Sequence, residues 1–391
     1  MLREIIKLGF LKLITLIDII PPVNESKGIK KILIVRLDEL GDMVLSTPFI
    51  RGMRKIYPNA HISLVVKNEL SELFELCPYV NEIYGYERVV QSFSFVKSFF
   101  KMRKFIRENG LKDYDLAVVP RWDTDDGYFA GLLVFLSNAT NRIGYSEDVN
   151  NSKKKSDKGY NRFYTKIIPS RSGVRHEVER GLDIIQYLGG YIENKSLELW
   201  CSEEDQKRAL SILNFDSNKY RKRIALFMTA GSNRREWKET YFKKVIENIL
   251  VMERCQFVLM GLGKNAESKA LNIKKNFTDD KVLNLTGKLS LKETYAVLKL
   301  CDIYLGGDTG PMHMAAAAGL KGVVLSCHPI TGLLEHYNSP ARFGPWNDDK
   351  MLVLRPKPMP GCEGGCNHDE AHCINNISVS EVCTLLKQCL H

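Results

Sequence analysis

The chain has 391 residues, length for roughly two or three domains with sizeable cores. A hydrophobic share of 44% and a charged share of 26% exclude a disordered or collagen-like chain. The net charge of +10 favours anionic partners (nucleotides, phosphorylated glycans, anionic lipid) without choosing among them.

Residues 1–20 are rich in Leu and Ile, yet Arg3, Glu4, Lys7, Lys12, Thr15 and Asp18 fall on about one half of a helical wheel. The stretch is too charged to span a bilayer. It reads as an amphipathic helix, for peripheral membrane contact or for docking on protein. Pro21 and Pro22 end it, and a short linker closes a first segment, 1–28. No convincing cleavage site follows, so a secretory signal is not expected. The expected compartment is the cytoplasm, where the ten cysteines, six of them after residue 320, are thiols or metal ligands.

Residues 31–37 (KILIVRL) form a continuous apolar run with one arginine, as in a central parallel strand. Leu40-Gly41-Asp42 follows, then a helical pattern over 43–56. This is a Rossmann-like opening without the G-x-G-x-x-G fingerprint, so a dinucleotide is not implied. Asp42 falls at the carboxyl edge of the sheet, where it can cap the helix, do chemistry, or both.

Strands and helices then alternate through residue 145, which implies a parallel sheet covered on both faces. Residues 150–158 (NNSKKKSDK) read as a polar loop, solvated and able to steer an anionic acceptor. Residues 175–189 read as a helix with His176 near its start, expected on the surface. The pattern turns polar near 193–220, which puts a domain boundary at 195/196. A second alternation follows, to a closing helix over 378–390. The expected architecture is therefore α/β, with two Rossmann-like domains, 29–195 and 196–391, facing across a cleft.

The second domain opens with TAGSNRREW, residues 229–237. Thr229, Gly231 and Ser232 can donate hydrogen bonds to phosphate oxygens, and Arg235 can neutralise them. Trp237 is expected in the core. Residues 260–264 (MGLGK) lack the full P-loop pattern, so ATPase chemistry is not expected.

Residues 301–319 (CDIYLGGDTGPMHMAAAAG) read as a buried strand running through glycine into a helix that Pro311 starts and Gly319 stops. Asp308 or Thr309 suits the cap. Free N–H groups and the positive dipole end at such a terminus suit a diphosphate.

Four blocks, KILIVRLDELGDMVLSTPFIRGMRKIYP (31–58), residues 176–189, residues 229–237 and GGDTGPMH (306–313), resemble glycosyltransferase family 9, the heptosyltransferases of lipopolysaccharide synthesis. The resemblance runs over about 30–390 and rests most on LDxxGDxxxxTP and DTGPMHxAAA. It implies a GT-B fold and an inverting transfer from ADP-heptose, or a similar nucleotide sugar, to a glycolipid or other surface-glycan acceptor. It implies no cofactor for catalysis. By motif position Asp308, Thr309, Gly310 and His313 resemble the diphosphate and nucleotide contacts, and Asp42 the catalytic base. Arg235 stands where the family usually has Lys, and Met228-Thr229-Ala230 departs from the usual Pro-Gly-Ala. Glu267 is the candidate for the ribose-binding acid. A same-fold transferase using another nucleotide sugar or a protein acceptor is the alternative. A non-catalytic nucleotide-sugar binder is the alternative of another class, and Asp42 argues against it. Nucleic acid is not an expected partner, because no nucleic-acid module accompanies the basic charge.

Cys362-x3-Cys366-x6-Cys373, with His368 and His372 inside it, has ligand types for a structural zinc or iron. The spacing is not that of a standard zinc ribbon, and it leaves the fourth ligand open. Free thiols, or an occasional disulfide, are the other reading.

Overall fold

The computed structural model describes residues 28–87, 95–125, 128–169, 171–213, 222–278, 280–346, 350–366 and 368–391. The amphipathic helix expected over 1–20 lies outside the described residues. Contacts divide the chain into two compact units.

The first unit is built on β1 (Lys31–Arg36), β2 (His61–Lys67), β3 (Glu82–Tyr86), β4 (Leu116–Val119), β5 (Asn141–Tyr145) and β6 (Lys166–Ile168). They pair in the order β3-β2-β1-β4-β5-β6, every pair parallel. The apolar run of β1 explains its central place: five of its six residues are buried, as a strand covered on both faces requires. One face carries Leu33, Val35, Val119, Leu132, Tyr160 and Phe163 in a single cluster. Aliphatic side chains buried this way contribute about 1.5–3 kcal/mol each.

The polar loop expected over 150–158 is instead a short helix, Asn151–Ser156, and its Lys153 is fully buried. The Lys153 ammonium donates to the carbonyls of Arg121 (3.2 Å) and Trp122 (3.3 Å) and stands 4.7 Å above the Tyr160 ring. Burial pulls its pKa down to about 8, against the raising fields of Asp157 and Asp125. Lys153 therefore fastens the segment after β4 and is not a solvated steering charge.

The second unit is built on β7 (Lys222–Phe227), β8 (Cys255–Met260), β9 (Val282–Asn284), β10 (Ile303–Gly307), β11 (Lys321–Leu325) and β12 (Met351–Leu354). Their order is β12-β11-β10-β7-β8-β9, again all parallel. The core holds Ile224, Leu226, Phe257, Ile303 and Leu305. Trp237 is buried there as expected, edge-on to Phe242 at 5.0 Å, and its indole N–H donates to the Ile377 carbonyl at 3.1 Å. That bond ties the strand-end loop to the closing helix Val379–Leu390, which a Ser378–Glu381 capping box starts.

Two short segments cluster with this second unit although they lie early in the chain: Leu40–Thr47, which contains Asp42, and Val174–Glu177, which contains His176.

Candidate active site

Each sheet reverses its strand order once, between β1 and β4 in the first unit and between β7 and β10 in the second. Open α/β sheets bind ligands outside the carboxyl ends of the strands at such a switch point. In the second unit those ends lead into residues 228–235 and 308–310, the two stretches that carry the candidate phosphate contacts.

The turn after β10 is held from beneath by the Tyr304 hydroxyl, which donates to the Gly307 carbonyl at 2.9 Å. Asp308 N–H donates to Leu325 O at 3.1 Å and Met312 N–H to Thr309 O at 3.0 Å. Pro311 has no N–H. Among the described residues, the donors left for a ligand at this helix start are the N–H groups of Thr309 and Gly310. Thr309 occupies the N-cap position of the Gly310–Ala317 helix, but its side chain does not cap. The sequence suggested Asp308 or Thr309 as a cap; the hydroxyl of Thr309 instead leans on Gly307 O at 3.4 Å.

Asp308 and His313 are both buried. Burial pushes the Asp308 carboxyl up to about 6, against the pull of the Arg235 guanidinium. Burial, with the positive fields of His176 and Arg235 added, pushes His313 down to about 3. His313 is therefore neutral, and its Nδ1 has no hydrogen-bond partner. Arg235 closes the Asn233–Arg235 turn and lies near enough to act on Asp308, His313 and Tyr304.

Asp42 lies in the first turn of the Leu40–Leu45 helix, which packs on the Gly310–Ala317 helix. The packing is close at both glycines. A Cβ on Gly41 would stand 2.8 Å from His313 Cδ2, and one on Gly310 would stand 2.9 Å from Leu40 Cδ2. His176, expected on the surface, is buried. Its Nε2 lies 3.1 Å from Gly344 O and its ring packs on Trp346 at 4.7 Å.

The structure thus gathers Asp42, Arg235, Asp308, Thr309, Gly310 and His313, and adds His176. Thr229, Gly231 and Ser232 follow β7, the strand beside β10, and a Cβ on Gly231 would meet open space. Exposed Glu267 stands in the first turn of the Lys264–Lys274 helix, against the backbone of Gly287. That helix follows β8, two strands from β10, or about 10 Å across the sheet. Glu236 carries no signal in the sequence. Its buried carboxylate accepts from Ala230 N–H (3.0 Å), Asn265 Nδ2 (3.2 Å) and Lys269 Nζ (2.5 Å), and so pins the loop after β7 to the helix after β8. A single carboxylate beside Trp237 carries no pattern that spacing would reveal.

A second group stands apart from these residues. Cys362, Cys366 and Cys373 are buried, and with His372 their ligand atoms all lie within 4.8 Å of one another. His372, not His368, completes the set. Its Nδ1 is 3.5 Å from Cys362 Sγ and 3.6 Å from Cys373 Sγ.

A family model for glycosyltransferase family 9 (heptosyltransferase) matches residues 102–372. Lipopolysaccharide heptosyltransferase 3 of Escherichia coli K12 is 25% identical over 317 residues, 79% of this chain and 83% of the relative. A putative glycosyltransferase of Haemophilus influenzae is 22% identical over 84% of this chain and 89% of its own length. Among solved structures, a family 9 glycosyl transferase from Veillonella parvula superposes with a TM-score of 0.71 at 19% identity, covering 92% of this chain and 97% of that one. The E. coli ADP-heptose lipopolysaccharide heptosyltransferase II gives a TM-score of 0.68 at 19% identity over 92% and 98%. The E. coli heptosyltransferase WaaC with ADP gives 0.66 at 17% identity over 92% and 99%. These likenesses, with two all-parallel six-stranded sheets, bear out the expected α/β, GT-B class. On the family match the chain belongs to glycosyltransferase family 9, the heptosyltransferases, and is a glycosyltransferase.

Proposed function

We propose that this enzyme moves a heptose, or a similar sugar, from ADP-heptose to a lipopolysaccharide core or another surface-glycan acceptor, with inversion at the anomeric carbon. One observation carries the reading. The helix of Asp42 is packed through Gly41 onto the helix whose start presents Thr309 and Gly310 N–H groups beside Arg235. A base and an anion-holding terminus held in one unit are what such a transfer needs. The names of the relatives support the sugar: E. coli heptosyltransferase II is an ADP-heptose enzyme, and WaaC was solved with ADP.

The chemistry follows from the roles. Asp42 takes the proton of the acceptor hydroxyl as that oxygen attacks the anomeric carbon. The bond from that carbon to the diphosphate oxygen breaks, and the charge on the leaving ADP grows. The Thr309 and Gly310 N–H groups, the helix dipole and Arg235 take up that charge. Thr229, Gly231 and Ser232 hold donor phosphate oxygens, neutral His313 a further polar atom of the donor, and Glu267 the ribose hydroxyls. No cofactor enters this step. Donor binding falls to residues 196–391 and acceptor binding to 29–195.

The reading places the work in the cytoplasm, at the inner face of the cytoplasmic membrane, with residues 1–20 as the peripheral contact. Among the described residues no helix is long and apolar enough to cross a membrane. Cys362, Cys366, His372 and Cys373 are read as a structural site for zinc or iron.

A thermal-shift panel of ADP-, UDP- and GDP-sugars tests the donor. The expected result is stabilisation by ADP and ADP-heptose alone. A preference for a UDP-sugar overturns the ADP reading.

A further inference from the structure

We infer that Cys362, Cys366, His372 and Cys373 bind one zinc ion, and that this ion is the strut that holds the Arg235 turn in place for the donor. The role given to Arg235 rests on the function proposed above; the metal site and the strut do not.

The donor set fits a tetrahedral ion. Zinc–sulfur bonds of about 2.3 Å and zinc–nitrogen bonds of about 2.0–2.1 Å, at the tetrahedral angle, put nitrogen and sulfur about 3.6 Å apart. His372 Nδ1 stands 3.5 Å from one thiol sulfur and 3.6 Å from another. These two separations match two edges of such a tetrahedron. Met359 N–H points at Cys373 Sγ at 3.4 Å, the kind of outer donor that steadies a thiolate ligand. Three sulfurs and one nitrogen fill four positions and leave none open, so the site is structural and not catalytic.

The loop that carries these ligands reaches the Asn233–Arg235 turn by two routes. Glu370, three residues before Cys373, accepts from Asn233 Nδ2 at 3.2 Å. The second route starts at Gly364 and Gly365, just before Cys366. Gly364 O accepts from Leu333 N–H at 2.9 Å, and Glu363 O accepts from the Thr331 hydroxyl at 2.8 Å. Gly365 (φ +152°) lies against the His336 ring, where a Cβ would stand 2.7 Å from it. His336 stacks on Tyr337 at 4.2 Å, and the Arg234 guanidinium lies 5.5 Å above the Tyr337 ring. Both residues that precede Arg235 in its turn are therefore tied to the metal loop, one by each route. With the ion in place the loop has one conformation and the ties pull in one direction. Without it, three thiols and an imidazole are free to part, and the turn loses its support.

The test uses the full chain. Metal analysis of protein purified without added metal should give about one zinc per chain, the fourfold thiolate and imidazole set being filled as isolated. Hydrogen exchange over residues 229–237 is then compared between the zinc-loaded protein, protein stripped by a chelator, and stripped protein with zinc restored. Stripping should speed exchange there about tenfold, as local opening becomes easier, and zinc should reverse it. If the stripped protein does not stay folded, Glu370→Ala decides. It keeps all four ligands, so it should keep its zinc and still exchange faster over 231–235. Absence of stoichiometric metal overturns the site, and iron in place of zinc overturns the choice of ion. Unchanged exchange in folded stripped protein, or in Glu370→Ala when stripping unfolds the chain, overturns the strut. ADP titration of the zinc-loaded protein is a separate arm, and no binding there sinks the donor assignment while leaving the exchange result intact.

Discussion

Gly41 lies against the imidazole of His313, so close that an alanine Cβ at 41 would stand 2.8 Å from Cδ2 and 3.3 Å from Nε2. The residue after Gly41 is the candidate base, and His313 stands in the helix whose start offers the candidate phosphate N–H groups. On the roles proposed above, this one glycine-to-ring contact sets how far the base stands from the leaving group.

Gly41→Ala should push these helix starts apart. Overpacking of this kind costs about 1–3 kcal/mol. A shift of about 1 Å at reacting groups costs on the order of 100-fold in rate. The expected outcome is a turnover loss of about 10–100-fold, with ADP affinity within a few-fold of wild type, read by steady-state kinetics and calorimetry. The double variant Gly41→Ala/His313→Ala should recover part of the lost unfolding stability, with about 0.5–3 kcal/mol of coupling between the sites. Additive effects would mean that the contact does not set the spacing.

Asp42→Ala removes the proposed base and leaves the helix start at Thr309 and Gly310 untouched. Turnover should fall by about 10²–10⁴, the usual worth of a positioned base, while ADP binds nearly as before. Near-normal turnover would assign the proton to another group. Asp42→Asn should behave like the alanine variant, because the amide keeps the shape and cannot accept the proton.

Asp308 and His313 make opposite pH contributions. His313 sits at about 3 against an ordinary 6.5, so its share of stability is present above 6.5 and is lost as pH falls toward 3. Asp308 sits at about 6 against an ordinary 3.8, so its share is present below 3.8 and is lost as pH rises through 6. Between about pH 4 and 6 the folded chain carries one extra proton on Asp308 and the unfolded chain one extra on a free imidazole, and the two slopes cancel. Asp308→Asn removes one of them. Relative to wild type, the variant should lose about 1.4 kcal/mol per pH unit, or about 3 kcal/mol in all, between pH 6 and 4. Urea unfolding at pH 4, 5 and 6 reads this directly. Parallel curves for the two proteins would show that these groups are not buried together as described.

The parts legible in the sequence were those that local pattern controls. Residues 31–37 could be read as a central strand because an unbroken apolar run suits only a strand covered on both faces. Likewise glycine, Pro311 and four alanines wrote the turn and helix after β10. What failed depended on partners far along the chain. The lysines at 153–155 looked solvated, yet Lys153 is buried, with carbonyls over thirty residues earlier accepting its hydrogen bonds. His176 looked exposed because Trp346, which covers it, stands 170 residues away. Spacing offers two histidines inside the cysteine cluster, and only the fold selects His372. No periodicity encodes the grouping of Asp42 with the second sheet, since eight residues there leave their own sheet's unit.

Glu236 supplies the last prediction. Its carboxylate takes three donors at once, and the Lys269 side chain it neutralises is only 18% exposed. Glu236→Ala leaves that ammonium and the Ala230 N–H without their acceptor. Breaking a buried pair from one side costs about 3–5 kcal/mol, and the partial exposure of Lys269 puts this case at about 2–3 kcal/mol. The loop of Thr229, Gly231 and Ser232 is then held less firmly. The donor KM should rise about tenfold, or about 1.4 kcal/mol of binding, with kcat changed less. Glu236→Gln keeps an acceptor for Ala230 N–H but not the charge, so it should fall between the alanine variant and wild type in both stability and KM. If KM stays at the wild-type value while stability drops, Glu236 holds the fold only, and the loop after β7 does not carry the donor phosphates.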